Sequence, residues 1–256
     1  MMHLCGLTFG MLIIKPYIFK RFPEVIFGFS TMTGNNNADT NNFNMSFNVG
    51  DDRELVSKNR LTFFKELGLN SENIAYQKQV HSDGIKIISE GGNCGESDAM
   101  ITSKPGLGLA ISSADCTAIF IYDTKNIIIA AVHSGWRGTS KKILEKTLSK
   151  LINEFKCNPE NMICYLSPSI SQINYEVGQE VAEYFDDKYL IPKNGKFLLD
   201  VASCNYDMLI KSGVKTNNIQ KSKLCSYGYK TLLHSYRRDG EKSGRALGII
   251  SIRNSE

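Results

Sequence analysis

The stretch Ile127-Ile128-Ile129-Ala130-Ala131-Val132-His133-Ser134-Gly135-Trp136-Arg137-Gly138-Thr139 decides how this chain folds. Its first six residues are apolar without alternation, the pattern of a strand covered on both faces. Two glycines then bracket the chain's only tryptophan and an arginine. A helical pattern follows from about Thr139 to Phe155, with Ile143, Leu144, Thr147, Leu148 and Leu151 on its inner side. Glycine lets the backbone bend sharply and approach a ligand closely. A turn that enters a helix N-terminus also presents free N–H groups, a natural anion site. The plain alternative is a packed corner with no ligand.

The flanking sequence is read the same way. Residues 12–19 and 25–30 look like β segments, and the Asn-rich span 31–48 is expected to be a long loop. Asp51 and Asp52 offer N-caps for a helix that runs to about Leu67 and stops at Gly68. Short β-rich runs follow near 74–80, 84–89, 98–102, 108–112, 117–122 and 127–132, separated by Gly, Asp, Asn and Ser. Further on, 162–166 and 246–252 read as strands, and 177–185 and 201–212 as helices. Strands and helices mix without strict βαβ alternation. This predicts an α+β fold, a sandwich of mixed β-sheets flanked by helices, in a single domain over 1–256. Met11 offers an alternative start, so residues 1–14 are expected to be an N-terminal extension, disordered or produced by a start codon set too early.

Composition narrows the function. Of 256 residues, 42% are apolar and 22% charged, as in ordinary soluble globular proteins. The net charge of +4 comes from 30 Lys and Arg against 26 Asp and Glu, spread along the chain. No nucleic-acid stripe or polybasic membrane patch results, while small anionic substrates remain compatible. The seven cysteines are an odd set without CxxC spacing, which favours a reducing compartment over a disulfide framework. The apolar start lacks a signal peptide's charged region and falls short of the ~20 residues that span a bilayer. A cytoplasmic protein is expected, as a monomer or weak homodimer.

Three side chains suit a metal. His81 ends Gln79-Val80-His81, Cys116 ends Ala114-Asp115-Cys116, and His133 ends the run quoted above; the chain has only four histidines. Imidazole and thiolate together suit Zn²⁺, and three protein ligands leave a tetrahedral ion one open position, as in catalytic sites. Their spacing fits no closed zinc-finger pattern. Each has an inert reading as well: a buried cysteine acts as a small hydrophobe, and a lone histidine or Gln79 as a satisfied polar residue. Asp115 at a strand junction needs a partner, either the N–H of a ligating imidazole or a proton it accepts. Near the C-terminus, Ser235-Tyr236-Arg237-Arg238-Asp239-Gly240 and Ser243-Gly244-Arg245 interleave arginines with turn formers. Such a cluster suits bidentate phosphate or carboxylate binding. A solvated hairpin with ion pairs to Asp239 and Glu241 is its alternative.

Taken in order, these segments resemble the YfiH family, long labelled multicopper polyphenol oxidase (laccase-like) and now described as purine nucleoside phosphorylases. The resemblance runs from Phe27-Gly28-Phe29-Ser30-Thr31 to the last strand. It passes through Asn48-Val49-Gly50-Asp51, Gln79-Val80-His81, Ser97-Asp98-Ala99, Ala114-Asp115-Cys116, His133-Ser134-Gly135-Trp136-Arg137-Gly138, Tyr175-Glu176-Val177-Gly178, Ser235-Tyr236-Arg237-Arg238 and Gly244-Arg245. It implies an α/β/β/α sandwich with zinc on His81, Cys116 and His133. It further implies phosphorolysis of adenosine, inosine, guanosine and methylthioadenosine to the base and a pentose 1-phosphate, with adenosine deamination alongside. Asn48, Gln79, Arg137, Arg237, Arg238 and Arg245 would then bind substrate or phosphate. Asp115, Cys116, His133 and Asp98 would carry the chemistry, with Asp115 or Asp98 exchanging a proton with the purine.

A laccase reading needs several coppers, and four histidines supply too few ligands, so copper fits less well than zinc. One relative is described as a peptidoglycan editing factor. That gives a second enzyme class, a cysteine or zinc hydrolase with Cys116, His133 and Asp115 as nucleophile, base and orienter. The chain departs from the family pattern at Met32, where many relatives carry Arg, and at Ser167-Pro168-Ser169-Ile170 in place of Gly-Pro-x-Ile. It departs again at Ile173-Asn174, where a cysteine is common, and at His234, where an aromatic is usual.

Overall fold

In the computed structural model, which describes residues 11–34 and 43–254, the apolar runs become strands in the following order. The N-terminal half holds β1 (Ile13–Ile14), β2 (Val25–Ser30), helix α1 (Arg53–Glu66), β3 (Ile74–Lys78), β4 (Ile85–Ile87) and β5 (Gly92–Glu96). The middle holds β6 (Ala99–Thr102), β7 (Gly108–Ser113), β8 (Thr117–Asp123), β9 (Ile128–Ser134), α2 (Trp136–Ser140), α3 (Ile143–Asn153) and β10 (Met162–Leu166). The remainder comprises β11 (Glu176–Val177), α4 (Gln179–Ala182), β12 (Leu190–Lys193), β13 (Lys196–Leu199), α5 (Val201–Lys211), β14 (Ile219–Lys221), α6 (Tyr236–Asp239) and β15 (Ala246–Ile252).

Two six-stranded mixed sheets form, in the orders β1-β2-β15-β7-β3-β5 and β14-β10-β8-β9-β6-β4, beside a small β11-β13-β12 sheet. The alternation within each strand explains why they stack. In β8, Ala118, Phe120 and Tyr122 face the first sheet, while Ile119 and Ile121 face the helices. The inter-sheet core is aromatic: the Phe27 ring lies 4.9 Å from Phe120 and 5.3 Å from Tyr165, both edge-on. Phe63 and Phe64 of α1 cover the outer face of the first sheet, and α3 and α5 cover that of the second. The predicted α/β/β/α sandwich is therefore the observed one. Because both faces of β9 are covered, all seven of its residues are buried.

Several predicted boundaries move. The strand expected over 12–19 ends at Ile14, because Pro16 cannot donate to a ladder and a 3₁₀ turn, Tyr17–Arg21, follows. Of the extension expected over 1–14, Ile13 and Ile14 pair with Ser30 and Phe29 and are buried, so these two residues belong to the sheet; residues 1–10 lie outside the described set. Of the 31–48 loop, residues 35–42 likewise lie outside it. The helix expected from Thr139 begins at Trp136 and breaks at Lys142, whose φ of +61° is left-handed. The helix expected over 177–185 is the single turn α4, after Val177 has already joined β11. The strands β5, β12, β13 and β14 lie where none was predicted. Among the described residues no helix is long and apolar enough to cross a membrane.

Register is what builds the site. Thr117 of β8 lies opposite Ser134 of β9, so Cys116 and His133 meet at one end of that pair. Ala99 of β6 lies opposite Val132, which brings Asp98 beside His133; the His133 N–H donates to the Asp98 carbonyl at 2.7 Å.

Candidate active site

The ligating atoms of His81, Cys116 and His133 all lie within 4.8 Å of one another. His81 Nε2 is 3.9 Å from Cys116 Sγ, and the two imidazoles meet edge-on at 4.9 Å between centroids. Behind them sits Asp98, fully buried. Its carboxylate accepts the backbone N–H groups of Val80 at 3.3 Å, His81 at 3.1 Å and Ser82 at 2.6 Å, and the Ser82 hydroxyl at 2.9 Å. These bonds hold His81 in a left-handed conformation (φ +57°) that its own side chain disfavours. The same carboxylate is 2.9 Å from His133 Nδ1, which must donate to it, leaving Nε2 for the cluster. The imidazole N–H expected to reach Asp115 thus goes to Asp98 instead.

The residues fit a divalent transition metal. Gly135 supplies an independent sign: a Cβ there would lie 2.6 Å from Cys116 Sγ and 3.4 Å from the His81 ring, inside the space the three ligands face. The electrostatics agree. Burial pushes the Cys116 thiol up, but the His133 charge and hydrogen bonds from both histidines outweigh it and hold the thiol well below its usual range. Burial pulls His133 down, yet the Cys116 thiolate and the Asp98 carboxylate raise it above the usual imidazole range. Asp98, despite burial, is drawn down to about 2 by its His133 and Ser82 hydrogen bonds. The turn after β9 is tied to α5 by hydrogen bonds: Ser134 Oγ donates to Asn205 Oδ1 at 2.9 Å, and Asn205 Nδ2 donates to Thr139 Oγ1 at 3.0 Å.

A cleft adjoins the cluster, lined by Asp115, Cys116, Thr117, Gly135, Trp136, Ile170, Tyr175 and Val201. The arginines sort into free and committed. Arg237 lies over the Tyr175 ring at 4.9 Å and donates Nη1 to the Glu176 carbonyl, leaving Nε and Nη2 without a partner among the described residues. Arg245 lies over Tyr236 at 5.3 Å and spends Nη1 on the Ser243 and Gly244 carbonyls. Burial lowers its pKa, while Asp115 and Cys116 are close enough to raise it. Arg137 is exposed over Trp136 at 4.5 Å. Arg238 is different: its guanidinium is spent on the Ser226, Tyr227 and Leu233 carbonyls and on Asp239, so it braces the preceding loop.

Other expected binders are also committed. The Gln79 amide donates to the Ser112 carbonyl and accepts its N–H, both at 2.8 Å, extending β7 pairing past the end of β3. Asn48 is exposed, its N–H on Ser46 Oγ. The expected helix N-terminus anion site belongs to a five-residue helix, too short to build a sizeable dipole. Tyr175, which lines the cleft, and Ser226, which donates to Asp115, are neighbours that the sequence reading left without a role. Tyr175 was signalled only as an aromatic within a matching segment, and nothing local marked Ser226.

Residues 26–253 match the family model described as multi-copper polyphenol oxidoreductase laccase. The chain is 32% identical over 248 residues to a purine nucleoside phosphorylase of Clostridium acetobutylicum, covering 93% of this chain and 97% of that protein. It is 29% identical over 259 residues to an adenosine deaminase, RL5, from an unknown prokaryotic organism, covering 93% and 98%. In fold it matches the YfiH protein of Bacillus licheniformis with a TM-score of 0.90 at 24% identity, over 98% of this chain and 99% of that one. On the family match, the sequence identity and the shared sandwich, this chain belongs to the YfiH family, whose model carries the polyphenol oxidoreductase laccase description.

Proposed function

We propose that the protein is a zinc-dependent purine nucleoside phosphorylase acting on adenosine, inosine, guanosine and methylthioadenosine. The observation that carries this reading is that one cleft is lined both by Cys116 of the two-histidine, one-cysteine cluster and by Tyr175, over whose ring the Arg237 guanidinium lies at 4.9 Å. Relatives named purine nucleoside phosphorylase, matched at about 30% identity over most of their length, supply the substrate class.

In phosphorolysis a phosphate oxygen attacks C1′ as the C1′–N9 bond breaks, and the purine leaves with the bonding pair and takes a proton. Arg237 and Arg245 bind the phosphate through N–H groups not spent on the carbonyls above, and neutralise the charge it carries as it approaches C1′. Trp136 and Tyr175 give the planar base its aromatic walls. Burial raises the Tyr175 hydroxyl, so it stays protonated and can donate a hydrogen bond at neutral pH. Both oxygens of Asp98 and of Asp115 already accept from protein groups, so the proton exchange with the purine expected of them is not assigned to either. His81, Cys116 and His133 would hold the zinc, which when bound supplies Lewis-acid polarisation of an oxygen. The deaminase relative supports a second activity of the same cleft, in which water displaces ammonia at adenine C6. A thiol hydrolase is the competing class, now with Asp98 as orienter of His133.

Purified protein should release hypoxanthine from inosine only when phosphate is present. His81→Ala and Cys116→Ala should each lower that rate by about 10²-fold or more. Wild-type rates in either variant would reject the metal role. Activity that survives chelation but not thiol alkylation would favour the hydrolase.

A further inference from the structure

Asp115 precedes the cysteine of the cluster, yet among the described residues its carboxylate bonds to neither histidine. Oδ1 accepts the Ser226 hydroxyl at 2.5 Å, and Oδ2 accepts the Arg237 backbone N–H at 2.6 Å. The Arg237 N–H belongs to the first turn of α6, whose N-cap Ser235 takes the Arg238 N–H at 3.3 Å. Asp115 and Ser235 therefore take two of the free N–H groups of this one-turn helix. The Asp115 backbone has a φ of +88°, a conformation that a non-glycine residue adopts only where its surroundings impose it. The strain has a definite product: it fixes one carboxylate between the metal-ligand turn and the arginine-bearing segment. The Arg238 guanidinium meets the same place from the other side by donating to the Ser226 carbonyl at 2.8 Å. Ser226 thus joins Asp115 to the braced loop.

We infer that Asp115 is a positioning residue that holds Arg237 at the phosphate end of the cleft, and not an acid or base of the reaction. This rests on the phosphorylase reading for its substrate. Its physical content is narrower: the anion affinity of the Arg237 segment depends on the Asp115 carboxylate. With that carboxylate gone, the α6 N-terminus loses an anchor, and Arg237 keeps only its Tyr175 face and the Glu176 carbonyl. Asp98 holds the two histidines of the cluster separately, and the Ser113 hydroxyl holds the Cys116 carbonyl at 2.6 Å, so the cluster is left in place.

Asp115→Gly tests this cleanly, since glycine takes the positive φ without strain and removes only the carboxylate. Two readouts are needed. The first is inorganic phosphate titrated against the emission of Trp136, the single tryptophan, which lines the cleft and requires no turnover. The second is saturation kinetics with phosphate and inosine varied in turn. Asp115→Gly should weaken phosphate binding about tenfold and raise the phosphate KM by a similar factor, as when one positioned ionic contact is lost. The nucleoside KM, kcat and bound metal should stay within about twofold. Asp115→Gly/Arg237→Ala should be no weaker for phosphate than Arg237→Ala alone. Ser226→Ala should shift phosphate affinity in the same direction. Unchanged phosphate affinity in Asp115→Gly overturns the inference, and so does a collapse of kcat with phosphate KM intact, the mark of a proton-transfer group. Phosphate binding without inosine turnover would refute the phosphorylase reading while leaving the Asp115 comparison decisive.

Discussion

Asp98 and His234 show how much a single buried polar group can carry. Asp98 accepts His133 Nδ1–H and the N–H groups of residues 80–82. Asp98→Ala would leave those buried donors without an acceptor, at a cost of about 3–5 kcal/mol. Urea unfolding of the metal-free protein measures it. His234 is 3% exposed, its Nε2 has no partner among the described residues, and burial followed by the Arg245 and Arg238 charges lowers it to about 4. Between pH 6.5 and about 4 the unfolded chain binds a proton that the native His234 refuses, so stability must rise with pH across that window. The span corresponds to about 3 kcal/mol. His234→Phe should flatten that part of the stability–pH curve, and an unaltered slope would assign it to other groups. The His81–Cys116–His133 cluster was legible in the sequence because histidine is rare in this chain, with four in all, and two of the four follow β-rich runs. The roles of Asp98, Asp115 and Arg238 were not. Their partners are set by strand register and by a loop that closes far along the chain, which no local spacing records.

Elements were legible where one interaction dominates. The capped helix α1 is such a case: Asp52 accepts the Glu54 and Leu55 N–H groups, as its position before the apolar pattern suggested. β12 and β13 were missed although a signal was present. Asn194-Gly195, both at positive φ (+49° and +76°), is the two-residue turn of a tight hairpin. β5 carried no signal, because Gly-Asn-Cys-Gly-Glu lacks β formers and the strand exists only as an edge on β3. The split between α2 and α3 was hidden since lysine gives no sign of breaking a helix. Its left-handed backbone is costly for a side chain, so Lys142→Gly should stabilise the protein by about 1 kcal/mol. Guanidinium unfolding would show a higher midpoint with unchanged steepness; a lower midpoint would mean that the lysine side chain contributes more than the strain costs.

At the scale of the whole molecule, the sandwich fixes the site by fixing the distance between its sheets. Gly248 of β15 faces the aromatic layer, where a Cβ would lie 2.4 Å from Phe120 Cζ and 2.9 Å from Phe29 Cδ2. Gly248→Ala should overpack this core and cost about 1–3 kcal/mol in unfolding free energy. The class of fold was legible because β2, β8 and β9 are apolar enough to demand cover on both faces. The order of strands was not, since β15 pairs between β2 and β7 only once the whole chain has closed.

The central claim is that the His81–Cys116–His133 cluster serves phosphate-dependent cleavage of purine nucleosides. The most direct measurement follows inosine and inorganic phosphate by phosphorus NMR alongside chromatography of the base. Ribose 1-phosphate should appear in step with hypoxanthine, cease when the protein is stripped of metal by a chelator, and resume on addition of zinc. Hypoxanthine released as fast without phosphate, or at a rate indifferent to metal removal, would contradict the account.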